Sequence, residues 1–282
     1  MSNALKTTLL LGLLTGLLMW VGQFVGGMQG MTLMLVFSIV LNAGSYWFSD
    51  RIVLAGYGAR ALSEQDAPDL FRIVRELATG AHMPMPRVYL IPSEAPNAFA
   101  TGRSPEHAAV AVTEGILRLL TLDELRGVLA HELSHVRNRD TLTSTIAATL
   151  AGVVMWVANM VRWGMIFGGL RRDERDDGRG GLEALAMVIL APLAAMLIQL
   201  AISRAREYQA DASGAELSHA PGSLAAALEK IGAASGRIPL DAGPATAHLW
   251  IVNPLRGNWL AGLFSTHPPL EERIRRLRAM AY

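Results

Sequence analysis

From Thr7 to Ser49 the chain carries no Asp, Glu, Lys, Arg or His, a run of 43 positions. One helix needs only about 20 apolar residues to cross the hydrocarbon core of a bilayer, so this run has room for two. In lipid, backbone polar groups must be bonded within the protein, which favours helices for such a segment. A break is visible at GGMQGM, where Gly26, Gly27 and Gly30 surround Gln29 and supply a tight turn between antiparallel helices. The rival reading of the first 27 residues is a cleaved signal peptide, but no A-x-A-like site follows the apolar core and a second apolar run comes at once. A retained hairpin is expected. Composition agrees: 51% of residues are hydrophobic and only 17% charged, against about 25% charged in a soluble domain.

Two further charge-free stretches follow, Thr141 to Val161 and Ala184 to Ile202. Arg162 lies where it can snorkel to the interface, and Pro192 makes a kink that neighbouring helices or water can cover. Each stretch is near the minimum spanning length, so helices buried in a soluble core are the alternative. Spanning is favoured. The glycine-flanked connector between them, GGLRRDERDDGRGG, reads as solvated. Its four arginines oppose an outside location, but the arginines of residues 51–139 and 204–278 outweigh them and place the polar segments in the cytoplasm.

The formal net charge of +1 gives no reason to expect nucleic acid as a partner. There is no cysteine, which excludes disulfides, thiolate metal sites and a cysteine nucleophile. Any metal must use His, Asp or Glu.

Residues 51–140 read as a mixed segment. In DLFRIVRELATGA, Leu70, Ile73, Val74 and Leu77 recur at helical spacing and Gly80 is a plausible stop. RVYLIP, NAFATG and AAVAVT then predict a small sheet, a meander of about three strands. In TLDELRGVLAHELSHVRNR, Thr121 and Glu124 form a capping box, and Leu125, Val128, Leu129 and Leu133 make an apolar stripe. After the fourth apolar run, SRAREYQADASGAEL, SLAAALEKIG and HPPLEERIRRLRAM read as helices.

His131 and His135 therefore share one helix face and can present their imidazoles to one zinc ion. Glu132, about 100° round the helix, stands beside the ion where a general base acting on water belongs. By chance alone, H-E-x-x-H arises in roughly one chain in a hundred of this length, so a third ligand is required. Glu207 is the best candidate. It comes five residues after the fourth apolar run, while His135 comes six residues before the third. An antiparallel membrane hairpin would bring both to one face at similar depth. Asp211, one turn after Glu207, could hold the far nitrogen of a ligand histidine, or be a solvated helix residue.

HELSH, SRAREYQAD, NAFATG and STHPPLEERI together resemble the membrane-integrated zinc metallopeptidases of HtpX type, relatives of the CAAX prenyl proteases. The resemblance covers nearly the whole chain. It implies one zinc per chain held by His131, His135 and Glu207, with Glu132 as base and proton shuttle. It matches Asn97 and Ala98 to a substrate-holding edge strand that adds an extended peptide to the sheet. It places His267 and Arg273 near the active site, where a donor could stabilise an oxyanion. For His267 the alternative is a helix-start histidine held by its own loop, and for Arg273 a structural salt bridge.

The expected fold is a mainly α integral membrane protein, with four transmembrane helices and an α+β zincin-like (gluzincin) protease domain carrying a small β-sheet. Residues 1–50 and 141–203 are the membrane pairs. Residues 51–140 and 204–282 are the two parts of the protease domain. The expected function is zinc-dependent cleavage of misfolded or damaged membrane proteins in quality control, at the cytoplasmic side of a bacterial inner membrane. A CAAX-type processing protease and a non-enzymatic membrane scaffold are the alternatives. The sequence does not set the oligomeric state.

Overall fold

The computed structural model describes residues 3–167, 204–235, 237–238, 246–252 and 268–280. It opens with α1 (Asn3–Gly56), a helix folded back on itself. Helical geometry fails at Gly26 and Gly27, and Gly27 takes φ 58°, a conformation open to a residue without Cβ. Beyond the bend the arms touch: a Cβ on Gly22 would meet Gly30 O at 2.4 Å. Asn42 Nδ2 donates to Thr15 Oγ1 across the arms at 2.9 Å. The expected hairpin is present.

Gly26–Phe48 is long and apolar enough to cross a membrane, whereas Leu5–Trp20 and Asp140–Val154 are apolar but shorter. Leu9, Leu13, Val36, Val40 and Phe48 are exposed on the hairpin, as on a surface that meets lipid or a partner. Of the four spans expected, that is the one meeting the length among the described residues, and residues 184–202 lie outside them. The helix predicted from the third run is α5 (Asp140–Phe167). Its Ile146, Leu150 and Val154 pack on Leu10, Leu14 and Leu18 of α1, and Thr143 and Thr7 join their hydroxyls at 3.2 Å.

The sheet has four strands, β1 (Arg60–Ala61), β2 (Arg87–Ile91), β3 (Ala98–Thr101) and β4 (Ala109–Thr113), in the order β1-β2-β4-β3. The expected meander is corrected here. Strand β4 inserts between β2 and β3, parallel to β2 and antiparallel to β3. All five β4 residues are buried, and a strand covered on both faces belongs in the middle of a sheet. Val110 and Val112 face the main core, while Ala109 and Ala111 face Val53 and Leu54 of α1 and Ala148 of α5. The sheet is thus a platform between the helices of the main core and the bases of the apolar ones. Strand β1 was missed because two exposed residues carry no alternation to read.

The main core joins the sheet to α2 (Pro68–Gly80), α4 (Leu122–Arg137), α6 (Arg204–Ser218), α7 (Pro221–Ser235) and α8 (Leu270–Arg278). Helix α2 buries Leu70, Ile73, Val74 and Leu77, the face its spacing required. The short α3 (Glu114–Leu119) links β4 to α4. The capping box of α4 forms as expected: Glu124 N–H donates to Thr121 Oγ1 and Thr121 N–H to Glu124 Oε2. Helix α6 lies so close to α4 that a Cβ on Gly214 would sit 2.8 Å from His131 N and Cα.

Candidate metal centre

Helix α4 carries His131, Glu132 and His135, and α6 carries Glu207 in its first turn. The close approach at Gly214 brings the two sets together. One ligand atom from each of His131, His135 and Glu207 lies within 4.8 Å of the others. His135 Nε2 is 3.6 Å from Glu207 Oε1, His131 Nε2 is 3.9 Å from Glu207 Oε2, and the imidazoles stand nearly perpendicular at 88°. Two imidazole nitrogens and a carboxylate, in a chain without thiols, form a donor set suited to a catalytic zinc.

Each ring is backed by a carboxylate. His131 Nδ1 lies 2.9 Å from Asp211 Oδ1, within ion-pair reach though out of line for a straight hydrogen bond. His135 Nδ1 lies 3.4 Å from Asp140 Oδ2. Both contacts leave the Nε2 atoms turned toward Glu207 and toward a cavity of about 30 Å³, room for an ion or a water or two. The cavity is also lined by Glu132, Ala100, His248 and Trp250. The residues fit a metal.

Glu132 is 3% exposed, and its Oε2 accepts from Ala100 N of the edge strand at 3.0 Å. Burial, reinforced by the Glu207 charge and resisted by His135, pushes its carboxyl up to about 8. Burial works against a charged His135, but Asp140, Glu207 and Glu132 overcome it and raise the imidazole to about 9. Burial pushes His131 down, against the pull of Asp211.

A raised folded-state pKa contributes stability that is full below the unfolded value and lost as pH rises through the folded one. His135, raised from 6.5 to about 9, and Glu132, raised from 4.5 to about 8, share that sign. His131, lowered from 6.5, works the other way only below that pH. The metal-free protein is therefore expected to lose stability between pH 6.5 and 9. Thermal melts in detergent check this, and a melting temperature that climbs across the window would contradict it.

The other expected residues fall as follows. Asp211 lies behind His131, where Arg273 Nε and Nη2 hold its two oxygens at 2.9 and 2.7 Å. Burial opposes the Asp211 charge, but Arg273 keeps the carboxyl well below the usual range. Arg273 is 1% exposed, and its Nη1 donates to Ile251 O at 2.9 Å. Its ion pair is with Asp211, and its Nη2 also comes within 3.5 Å of His131 Nε2, beside the ligand face of that ring. Asn97 and Ala98 sit at the head of the edge strand, but their groups meet the chain's own segment: Asn97 Nδ2 donates to Val252 O at 2.9 Å and Ala98 O accepts from Ile251 N at 3.2 Å. The Ala98 carbonyl is thus already occupied from within the chain. Trp250, fully buried, anchors that segment against Tyr57 and Phe99. His267 lies outside the described residues. Asp140, Arg206 and His248 were not foreseen as neighbours of the site.

The sequence profile of peptidase family M48 matches residues 64–281. The chain belongs to that family. The resemblance read from the four motifs is borne out, and the chain is a metallopeptidase. A protease HtpX homolog of Syntrophobacter fumaroxidans is 63% identical over 282 residues, 99% of this chain and 100% of that one. One from Thermococcus kodakarensis is 55% identical over 278 residues, 98% of this chain and 96% of that one. This M48 member also shares a fold with the crystal structure of S. mikatae Ste24p, with a TM-score of 0.50 and 17% identity over 95% of this chain and 62% of that one.

Proposed function

We propose that this chain is a zinc-dependent membrane endopeptidase that cleaves misfolded or damaged membrane proteins. The observation that carries the reading is the convergence of His131, His135 and Glu207 beside the buried Glu132. His131 Nε2, His135 Nε2 and a Glu207 oxygen would hold the ion. Zinc, when bound, supplies Lewis acidity toward a carbonyl and a water. Ala100 N–H occupies Glu132 Oε2, leaving Oε1 to take a proton from water and return it to the departing amine nitrogen. The same bond ties the base to β3, along whose remaining edge an extended peptide would pair. Arg273 serves by holding Asp211 behind His131.

The apolar hairpin and α5 reach the sheet from the face opposite the main core. That arrangement supports a multi-pass protein with membrane pairs in residues 1–50 and 141–203, and a protease body made of 51–140 and 204–282. The arginine distribution supports a cytoplasmic site at a bacterial inner membrane. Protein purified in detergent, stripped by a chelator and reloaded with zinc, is expected to cut unfolded casein and a membrane-protein substrate. Preference for a farnesylated peptide over casein would move the reading to a processing protease, and no cleavage of any substrate would end it.

A further inference from the structure

Asp140 stands to His135 as Asp211 stands to His131. Its Oδ2 is 3.4 Å from His135 Nδ1, and its Oδ1 accepts from Arg206 Nη1 at 3.0 Å. Arg206–Asp140–His135 thus parallels Arg273–Asp211–His131, each an arginine clamping a buried carboxylate against a ring nitrogen. The turn after α4 makes this possible: Arg139 takes φ 57°, a left-handed conformation uncommon for a residue with a side chain, and it carries Asp140 back beneath His135. Arg206 directly precedes Glu207 on α6, so the same ion pair ties the start of α5 to the helix bearing the third donor.

We propose that Asp140, clamped by Arg206, is a positioning residue for the metal site. It holds His135 with Nδ1–H toward the carboxylate and Nε2 free for the ion, and it keeps the Glu207 helix in register with α4. A carboxylate of this kind fixes the tautomer and orientation of a ligand histidine and raises its basicity. The inference rests on the reading of His131, His135 and Glu207 as metal ligands.

The test is a chelator-competition zinc titration of the full chain in detergent, with wild type, Asp140→Ala, Asp140→Asn, Arg206→Gln and the double variant Asp140→Ala with Arg206→Gln. Asp140→Ala is expected to weaken zinc binding roughly 10- to 100-fold. Asp140→Asn, which keeps an acceptor without the charge, should weaken it less. Arg206→Gln should add little on top of Asp140→Ala, because the two act as a unit. A merely structural role would lower the melting temperature and leave the zinc constant within about twofold, and that result overturns the proposal. If Asp140→Ala does not fold, the near-isosteric Asp140→Asn decides in the same way. Wild type that takes up no zinc removes the ligand reading and this inference with it, whereas normal wild-type binding with unaltered variants removes the inference alone.

Discussion

Glu132→Gln is expected to reduce peptide cleavage roughly a thousandfold, about 4 kcal/mol of transition-state stabilisation, while the chain still takes up one zinc. The glutamine keeps the shape and can still accept from Ala100 N–H, the bond that fixes the side chain against β3. It removes the oxygen that takes and returns the proton. Because Glu132 is not among the three grouped donors, the effect should fall on kcat and leave the metal constant near that of wild type. Kinetics and metal analysis on one preparation check this. Cleavage within tenfold of wild type would place the base elsewhere.

The second large effect is on stability. Arg273→Ala leaves Asp211 buried with its countercharge gone and Ile251 O without its Arg273 donor. Removing one partner of a buried pair costs about 3–5 kcal/mol, which is a drop of roughly 10 °C in a domain of this size. Arg273→Lys should recover little, since a lysine cannot reproduce the two-pronged contact with both Asp211 oxygens. If Arg273 instead stabilised an oxyanion, alanine would lower kcat and leave the melt unchanged. A thermal melt of the metal-free variant beside a kcat measurement separates the two, and an unchanged melting temperature contradicts the placement described above.

His131, Glu132 and His135 were legible in the sequence because a helix turns spacing into direction, and the capping box at Thr121 with the Leu125–Val128–Leu129 stripe fixed the helix. Glu207 was legible through its place after an apolar run. Arg273 was legible as a neighbour of the site with two roles open, oxyanion donor or salt-bridge partner, because the choice depends on Asp211 and Ile251, which lie 62 and 22 positions away. Asp140 was hidden for a local reason, since only the left-handed turn at Arg139 brings it under His135. Ile251 closing on Ala98 joins residues more than 150 positions apart, and no periodicity reports such a pairing. The central place of β4 had a signal that went unused: AVAVT is apolar on both faces, as a middle strand must be.

Every role proposed above requires Glu207 to complete a metal site with His131 and His135. The direct measurement is the zinc content of wild type and Glu207→Ala after chelation, reloading and gel filtration in detergent, with casein cleavage recorded on the same samples. One zinc per chain with cleavage in wild type, and neither in Glu207→Ala, is the expected result. A Glu207→Ala chain that holds zinc as tightly as wild type, or a folded wild type that holds none, would contradict it.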